Sequence, residues 1–300
     1  MPILTMDLQP TTFARLAGYG TLAVSGADAR AFLHAQFTTD IAGLPADRAR
    51  IAGWCSAKGR LLASLLVVPH AEGFLLQLAR DLAAPVAKRL AMFVLRSKVK
   101  LVDASGEWLH YGVWGAGAPA QLAGIGMAVA DDPLAVAATG DALAVRIDER
   151  RFLVISRTAT GFSGREAPEQ EWLLHEIRAG RPLVVQATQD QFVPQMTNFE
   201  LIGGVDFKKG CYPGQEIVAR SQYRGQVKRR MLRAAVDAAP APGQDLFSPD
   251  GQASGTVVMG APSPEGGYEL LAVAQREIGS LHLGAAGGPL LRPLPLPYAA

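Results

Sequence analysis

The first hundred residues alternate between strand-like and helical segments. Five short apolar stretches bounded by turn residues predict strands, and they lie at residues 21–25, 50–54, 61–68, 74–78 and 99–102. Two stretches between them repeat apolar residues at helical spacing: one carries Phe32, Leu33 and Phe37, the other Val86, Leu90, Phe93 and Val94. This order predicts an antiparallel sheet with helices on one face.

A second unit with the same pattern follows. Strand-like stretches lie at residues 108–113, 143–147 and 152–155, and a helix carries Trp172, Leu173, Glu176 and Ile177 before Gly180 stops it. We therefore expect an α+β fold in which two antiparallel sheet-plus-helix units, about residues 1–105 and 106–230, enclose a central cleft. A cleft between two such units is a usual place for a ligand.

Beyond residue 230 the pattern changes. Short apolar runs at 232–236, 255–259 and 270–273 are separated by Pro and Gly clusters, which predicts a small antiparallel β-barrel over residues 231–300. The last segment, 289–297, is proline-rich and therefore extended. It either lies along the barrel or docks a partner.

An irregular segment of about twenty-five residues, 184–209, leads to a single cysteine, Cys211. Ordered loops of this length are usually functional. The cysteine follows Lys208 and Lys209 and precedes a helix that opens near Gly214. Positive charge from lysines and from a helix N-terminus favours a thiolate, so we predict Cys211 as a reactive thiol supported by Lys209. The alternative is a structural cysteine in a tight turn.

The composition limits the partners and the compartment. A net charge of +2 over 300 residues supplies no bulk field for nucleic acid or membranes. The two cysteines, Cys55 and Cys211, allow neither a disulfide framework nor a cluster held by cysteines alone. The five histidines lack ligand spacing, so we expect no resident metal. Free thiols and the lack of a signal-peptide pattern favour a cytoplasmic protein without a membrane partner.

The cysteine segment also carries a resemblance. Residues 209–216 read KGCYPGQE, which resembles the KGCYxGQE motif of the YgfZ family, and further matches lie at 192–198, 201–207, 224–225 and 228–229. That family comprises folate-binding iron–sulfur cluster assembly factors related to the T-protein of the glycine cleavage system. The resemblance implies a T-protein-like fold, tetrahydrofolate as cofactor, and iron–sulfur client or assembly proteins as partners, including enzymes that modify tRNA.

The resemblance also implies folate contacts. Tyr19 and Trp172 match positions where aromatic side chains stack on the ligand, and Tyr19 stands where a well-known relative has tryptophan. The amides of Gln195 and Asn198 can each offer a donor and an acceptor to a pterin edge. The complete candidate set is Tyr19, Trp172, Arg178, Gln195, Asn198, Tyr212, Gln215 and Glu216. The structural alternatives are a core role for Trp172 and backbone capping for the two amides.

Two departures from the T-protein bear on function. Arg178 stands where the T-protein has a pterin-binding glutamate, and arginine can only donate hydrogen bonds. Ala63 and Ser64 stand where its carboxylates would be, so a general base for aminomethyl transfer is missing there. We therefore favour a folate-binding factor for iron–sulfur assembly or repair over a folate-dependent aminomethyl or one-carbon transferase. The transferase would need another acid in the cleft.

A basic run follows the cysteine: Arg220, Arg224, Lys228, Arg229 and Arg230. It suits a folate glutamate tail or an acidic partner protein, and it also permits a tRNA-binding module. The alternative is a solvated helix face and strand edge. Tyr223 alone gives little aromatic interleaving, which argues against direct tRNA binding.

Overall fold

The structure, a computed structural model, describes residues 10–71, 73–223, 227–275 and 279–299. The strands are β1 (Thr12–Arg15), β2 (Tyr19–Ser25), β3 (Arg50–Cys55), β4 (Leu61–His70), β5 (Gly73–Ala79), β6 (Lys100–Asp103), β7 (Leu109–Trp114), β8 (Val136–Thr139), β9 (Ala142–Arg146), β10 (Arg151–Ser156), β11 (Arg165–Glu166), β12 (Arg229–Val236), β13 (Asp245–Phe247), β14 (Ala253–Pro262), β15 (Tyr268–Gln275), β16 (His282–Leu283) and β17 (Arg292–Leu294). The helices are α1 (Ala29–Gln36), α2 (Arg80–Ala91), α3 (Ala118–Gly124), α4 (Glu169–Arg178) and α5 (Gln215–Tyr223).

These strands form three sheets, which confirms the predicted α+β architecture. The first has the order β3-β4-β5-β2-β6, the second β11-β1-β7-β10-β9-β8, and the third β16-β13-β14-β15-β12-β17. In the second sheet β1 pairs with β7 and, in parallel, with β11. The chain therefore uses its first described strand in the second sheet, although the sequence division assigned that segment to the first unit.

The third sheet curls back on itself. An antiparallel bridge joins His282 of β16 to Leu290, just before β17, and β17 pairs with β12 at the opposite edge. The proline-rich end thus lies along the barrel. Its Tyr298 hydroxyl donates to the Gly180 carbonyl at 2.7 Å, which ties the end of the chain to the C-terminal end of α4.

Helix α4 connects the three sheets. Its residues Leu174 and Ile177 pack with Met231 and Val258 of the barrel, while Trp172 belongs to the core of the first two sheets. Trp172, Leu174 and Ile177 all lie on α4, so this helix of ten residues contacts both the barrel and the larger core. Within the described part of the chain, no helix is long and apolar enough to cross a membrane.

Helix α2 is shorter than the sequence pattern predicts. It ends at Ala91, so Phe93 and Val94 lie beyond it, and Phe93 is 43% exposed. Ala79 occupies the N-cap position of α2, and Asp81 lies in its first turn. The chain turns out of the helix through Leu95, whose φ of +44° lies in the left-handed region.

The buried His110, where the first two sheets pack together, makes the free energy of unfolding fall in acid. Thr21 Oγ1 and His110 Nε2 lie 3.0 Å apart in the core, and burial, with the charges of Arg15 and Arg80, lowers the pKa of His110 to about 3. The unfolded chain takes up this proton at an ordinary pKa of about 6.5, so stability falls as the pH drops below that value. We expect a loss of about 2 kcal/mol from this group between pH 7 and pH 5. Urea unfolding at both pH values measures it, and a His110→Gln variant must lack that part of the loss.

Candidate functional site

A cleft lies where the first two sheets meet α4. It is narrow: the cavity itself has a volume of about 50 Å³, and the 530 Å³ of empty space around it includes the open mouth. On the first sheet Ile51 pairs with Leu66 and Leu66 pairs with Gln77, so these three side chains point the same way. The second sheet contributes Leu153, and α4 contributes its inner face. The cleft is thus the predicted ligand site between the two units.

Two aromatic side chains from distant parts of the sequence meet in this cleft. Tyr19, at the start of β2, and Trp172, on α4, are 5% and 2% exposed, and both line the cavity. A Cβ atom on Gly112 of β7 would lie 2.3 Å from Trp172 Cε3, so the indole can rest on this strand only because position 112 is glycine. Burial raises the pKa of Tyr19 far above its usual value, and the Glu176 charge adds to it, so its hydroxyl stays protonated.

The cleft contains a carboxylate that the sequence assignment did not include. Glu176 lies four residues after Trp172 and therefore on the same helix face. Its Oε1 accepts from Arg151 Nη1 at 2.7 Å, and its Oε2 lies 3.2 Å from Arg181 Nε. Two arginines thus fix a negative charge beside the indole. The four-residue spacing from Trp172 was the signal that could have identified it.

A buried amide also faces the cleft. Gln77 is 8% exposed and lines the cavity between Leu66 and Thr21 on the neighbouring strands. Leu66 offers no polar atom, and the Thr21 hydroxyl is engaged with His110. Among the described residues, the Gln77 amide is not one of the buried polar groups without a partner, so its polar end faces the open space of the cleft. The sequence shows only a polar residue in an apolar strand, and the strand pairing is needed to locate it.

The expected gap in T-protein chemistry is visible in β4. Ala63 is fully buried, and the Ser64 hydroxyl accepts a hydrogen bond from the Val184 backbone N–H at 2.9 Å. Neither position supplies a base to the cleft. Among the described residues that line the cleft, Glu176 is the acidic one.

Lys209 fixes the loop that carries Cys211. Its Nζ donates to the carbonyl oxygens of His34 and Phe37, at 2.5 and 2.7 Å, where α1 ends and its carbonyls lack helical partners. The same Nζ lies 4.8 Å from the centroid of the buried Tyr212 ring. Burial lowers the pKa of Lys209 to about 8. The sequence analysis predicted that the Lys209 ammonium supports the Cys211 thiol. In the structure this ammonium binds carbonyl oxygens at the C-terminal end of α1.

Two glycines fit the cysteine loop against the β3–β4 hairpin. Gly59 and Gly214 have φ values of +69° and +78°, and a Cβ on Gly214 would lie 2.6 Å from Gly59 Cα. Helix α5 then begins at Gln215, close to the predicted start. Cys55 in β3 is buried, which raises the pKa of its thiol, whereas Cys211 is exposed. Of the two thiols, Cys211 is the one that a partner can reach.

The thiol and the cleft are separate places on the molecule. None of residues 209–216 lines the cleft, whereas the sequence predicted the thiol beside it. Phe199 and Ile202 line the cleft, and Gly204 packs against the Phe199 ring. The Gly204 carbonyl accepts from the Thr38 hydroxyl at 2.5 Å. A short segment therefore runs from the cleft wall to the cysteine loop.

Six of the predicted folate contacts do not line this cleft, and their role in binding stays a prediction. Arg178 faces away from Glu176, because two residues along a helix turn the side chain to the other side, and it binds Glu269 of the barrel at 2.6 Å. Gln195 Nε2 donates to the Val218 carbonyl and Asn198 Nδ2 to the Met231 carbonyl. The remaining three belong to the cysteine loop and the first turn of α5: Tyr212, Gln215 and Glu216.

The basic run is not one surface. Arg220 pairs with Glu216 at 2.8 Å, and Arg230 pairs with the buried Glu200. Arg224 and Gly225, which contribute to the family match, lie outside the described residues. Nor does the described part of the chain contain a group of three His, Cys, Asp or Glu side chains placed to hold a metal ion.

Three relatives of this chain found by sequence are all named tRNA-modifying protein YgfZ. The chain is 32% identical over 293 residues to the tRNA-modifying protein YgfZ of Edwardsiella ictaluri, covering 92% of this chain and 88% of the relative. For the protein of the same name from Sodalis glossinidius the identity is 32% over 308 residues, covering 97% and 94%. A third, from Escherichia coli O45:K1, is 29% identical over 307 residues, covering 97% of this chain and 94% of its own.

The fold matches a solved structure. The glycine cleavage system aminomethyltransferase T from Bartonella henselae superposes with a TM-score of 0.76 at 16% identity, covering 95% of this chain and 85% of that one. An identity this low shows a shared fold and nothing about activity. No family model matches the chain. The sequence relatives, which are matched over nearly their full length, settle the classification: the chain belongs to the YgfZ family.

Proposed function

We propose that this protein binds tetrahydrofolate in the central cleft and supports the assembly or repair of iron–sulfur clusters in cytoplasmic enzymes that modify tRNA. Cys211 is the thiol that acts on the client. The names of its relatives support the link to tRNA modification. The T-protein-like fold supports a ligand site between the two units.

The observation that carries the folate part is the convergence of Tyr19 and Trp172 on one cleft. Aromatic side chains in a cleft wall suit a flat heterocycle, because stacking adds to the gain from buried area. The cleft also contains the fixed carboxylate of Glu176 and the amide of Gln77. A pterin edge has adjacent donors and acceptors, and these two groups can accept and donate to it.

The exposed thiol of Cys211 supports the iron–sulfur cluster part of the proposed function. Cys211 lies on a loop fixed by Lys209 and by the glycine contact with the hairpin, so the sulfur has a defined position at the surface. One exposed cysteine cannot hold a cluster alone. A partner that brings the other ligands can share this sulfur, so the cluster is cargo and the thiol is a transient ligand or a redox group.

Folate acts as an effector in this proposal. A ligand in the cleft contacts Phe199 and Ile202, and the chain from these residues reaches Cys211 within about ten positions. The hydrogen bond between Thr38 and Gly204 and the contact of Gly204 with Phe199 make this segment rigid. This segment therefore links occupancy of the cleft to the loop that presents the thiol.

Exchange of Gln77 for leucine tests the ligand site. We expect Gln77→Leu to weaken tetrahydrofolate binding about tenfold, because the ligand then buries a polar group without a partner. The variant must be about as stable as the wild type, since leucine has a similar volume and continues the apolar wall that Leu66 forms on the neighbouring strand. Titration calorimetry and urea unfolding measure the two effects. Unchanged affinity would show that the ligand does not reach this wall.

The transferase alternative gains nothing from the geometry. Glu176 is the cleft's acid, and both of its oxygens already face arginine nitrogens, Arg151 and Arg181. Each oxygen keeps a second lone pair that can accept a hydrogen bond from a ligand, but acceptance alone does not make the group a general base. The tRNA-binding alternative is also unsupported, because Arg220 and Arg230 have acidic partners within the chain.

A further inference from the structure

Three large apolar side chains are exposed together where α2 ends. Met92, Phe93 and Leu95 are 64%, 43% and 89% exposed, and we call them the apolar patch. Leu95 has a φ of +44°, a conformation that costs a residue with a Cβ roughly 1–2 kcal/mol. Neither packing nor backbone geometry explains a leucine there. Exposed apolar clusters of this kind mark interaction sites.

The chain segment that carries the apolar patch is strongly basic. Residues 82–102 contain no Asp or Glu. Five cations lie in this segment: Lys88, Arg89, Arg96, Lys98 and Lys100. Within the described ranges none of these five takes part in an ion pair. The complement of such a rim is an acidic surface.

The patch connects to the cysteine loop through the edge strand β3. The Phe93 ring packs edge-on against Trp54, with centroids 6.4 Å apart. Trp54 forms a backbone bridge with Phe37, and the Phe37 carbonyl accepts from Lys209 Nζ. A partner seated on the patch is therefore close to the edge of the sheet that anchors Cys211.

We propose that the apolar patch docks an acidic segment of a partner polypeptide that inserts an apolar side chain between Met92, Phe93 and Leu95. This inference rests on the proposed function, in which the partner is the client whose cluster Cys211 serves. Met, Phe and Arg are enriched in the cores of protein interfaces. RNA would need stacking surfaces, and the one aromatic ring of the patch already packs edge-on against Trp54.

Complementation of an Escherichia coli strain that lacks its own relative tests the surface. The readout is the level of tRNA nucleosides made by iron–sulfur enzymes, measured by mass spectrometry. We expect Leu95→Gly and Arg96→Glu each to reduce the restored level at least fivefold. Glycine tolerates the left-handed backbone, so Leu95→Gly must unfold no more easily than the wild type. Ile125→Gly, at an exposed position on the other unit, is the matched control and must restore the wild-type level.

The outcomes separate the two proposals. If the wild type itself fails to restore modification, the proposed function is wrong and the docking inference loses its basis. If the wild type and both patch variants restore it equally, the docking inference alone is wrong. A photo-cross-linker at position 95 must attach to a net acidic client segment, mapped by mass spectrometry. Attachment to a basic segment, or patch-dependent binding of purified tRNA or anionic vesicles, would overturn the polypeptide assignment.

Discussion

The Cys211→Ser variant is expected to lose at least nine-tenths of its support for tRNA modification by iron–sulfur enzymes, while its stability and folate affinity stay at wild-type values. The oxygen of serine is a poor ligand for iron and no redox group, so it cannot replace the exposed thiol of Cys211. Stability is unaffected because the side chain is exposed. The same complementation assay measures the loss, and urea unfolding measures stability.

The second cysteine of the chain provides the matched control. Cys55 is buried in β3, and Cys55→Ala must keep the support for tRNA modification while it lowers stability by about 1 kcal/mol through lost packing. Cys211→Ser thus loses support for tRNA modification and keeps its stability, whereas Cys55→Ala keeps the support and loses stability. Normal modification with Cys211→Ser would show that the thiol is structural, and the cluster part of the proposal would fail.

The Trp172→Ala variant is expected to bind tetrahydrofolate about 30- to 100-fold more weakly, because the indole supplies both stacking and buried area. It is also expected to lose about 3–5 kcal/mol of stability, since a fully buried ring is replaced by a methyl group. Calorimetric titration below the unfolding temperature measures the affinity. The milder Trp172→Phe variant keeps a ring and must lose affinity by a smaller factor.

A buried tryptophan away from the cleft separates the two effects. Trp108 is 1% exposed, packs against His70, and does not line the cleft. Trp108→Ala must therefore lose a comparable amount of stability without a change in folate affinity. Equal losses of affinity in the Trp108 and Trp172 variants would mean that unfolding, not the missing ring, explains the result.

The sequence was sufficient for the features that depend on local pattern. The cysteine motif, the start of α5 near Gly214 and the glycine after α4 follow from turn chemistry and helical spacing, which act within a few residues. The hydrophobic pattern also predicted the α+β architecture, and family resemblance added the T-protein-like fold. The resemblance also named Tyr19 and Trp172, which the structure brings to the same cleft.

The remaining site features depend on contacts between distant segments. Gln77 faces the cleft only because β5 lies between β4 and β2, and no pattern in its own strand states that order. Arg178 was assigned by alignment, but the helix directs it to the barrel acid Glu269. Lys209 was assigned to the thiol, yet the carbonyls that hold it belong to α1, more than 170 positions earlier.

One titration series tests the central claim, that a folate cleft and a separate exposed thiol share this fold. Tetrahydrofolate is titrated calorimetrically into the wild type, Trp172→Phe and Cys211→Ser. The account predicts one site per chain, weakened in Trp172→Phe and unchanged in Cys211→Ser. No binding to the wild type, or binding that depends on Cys211 and not on Trp172, would contradict it.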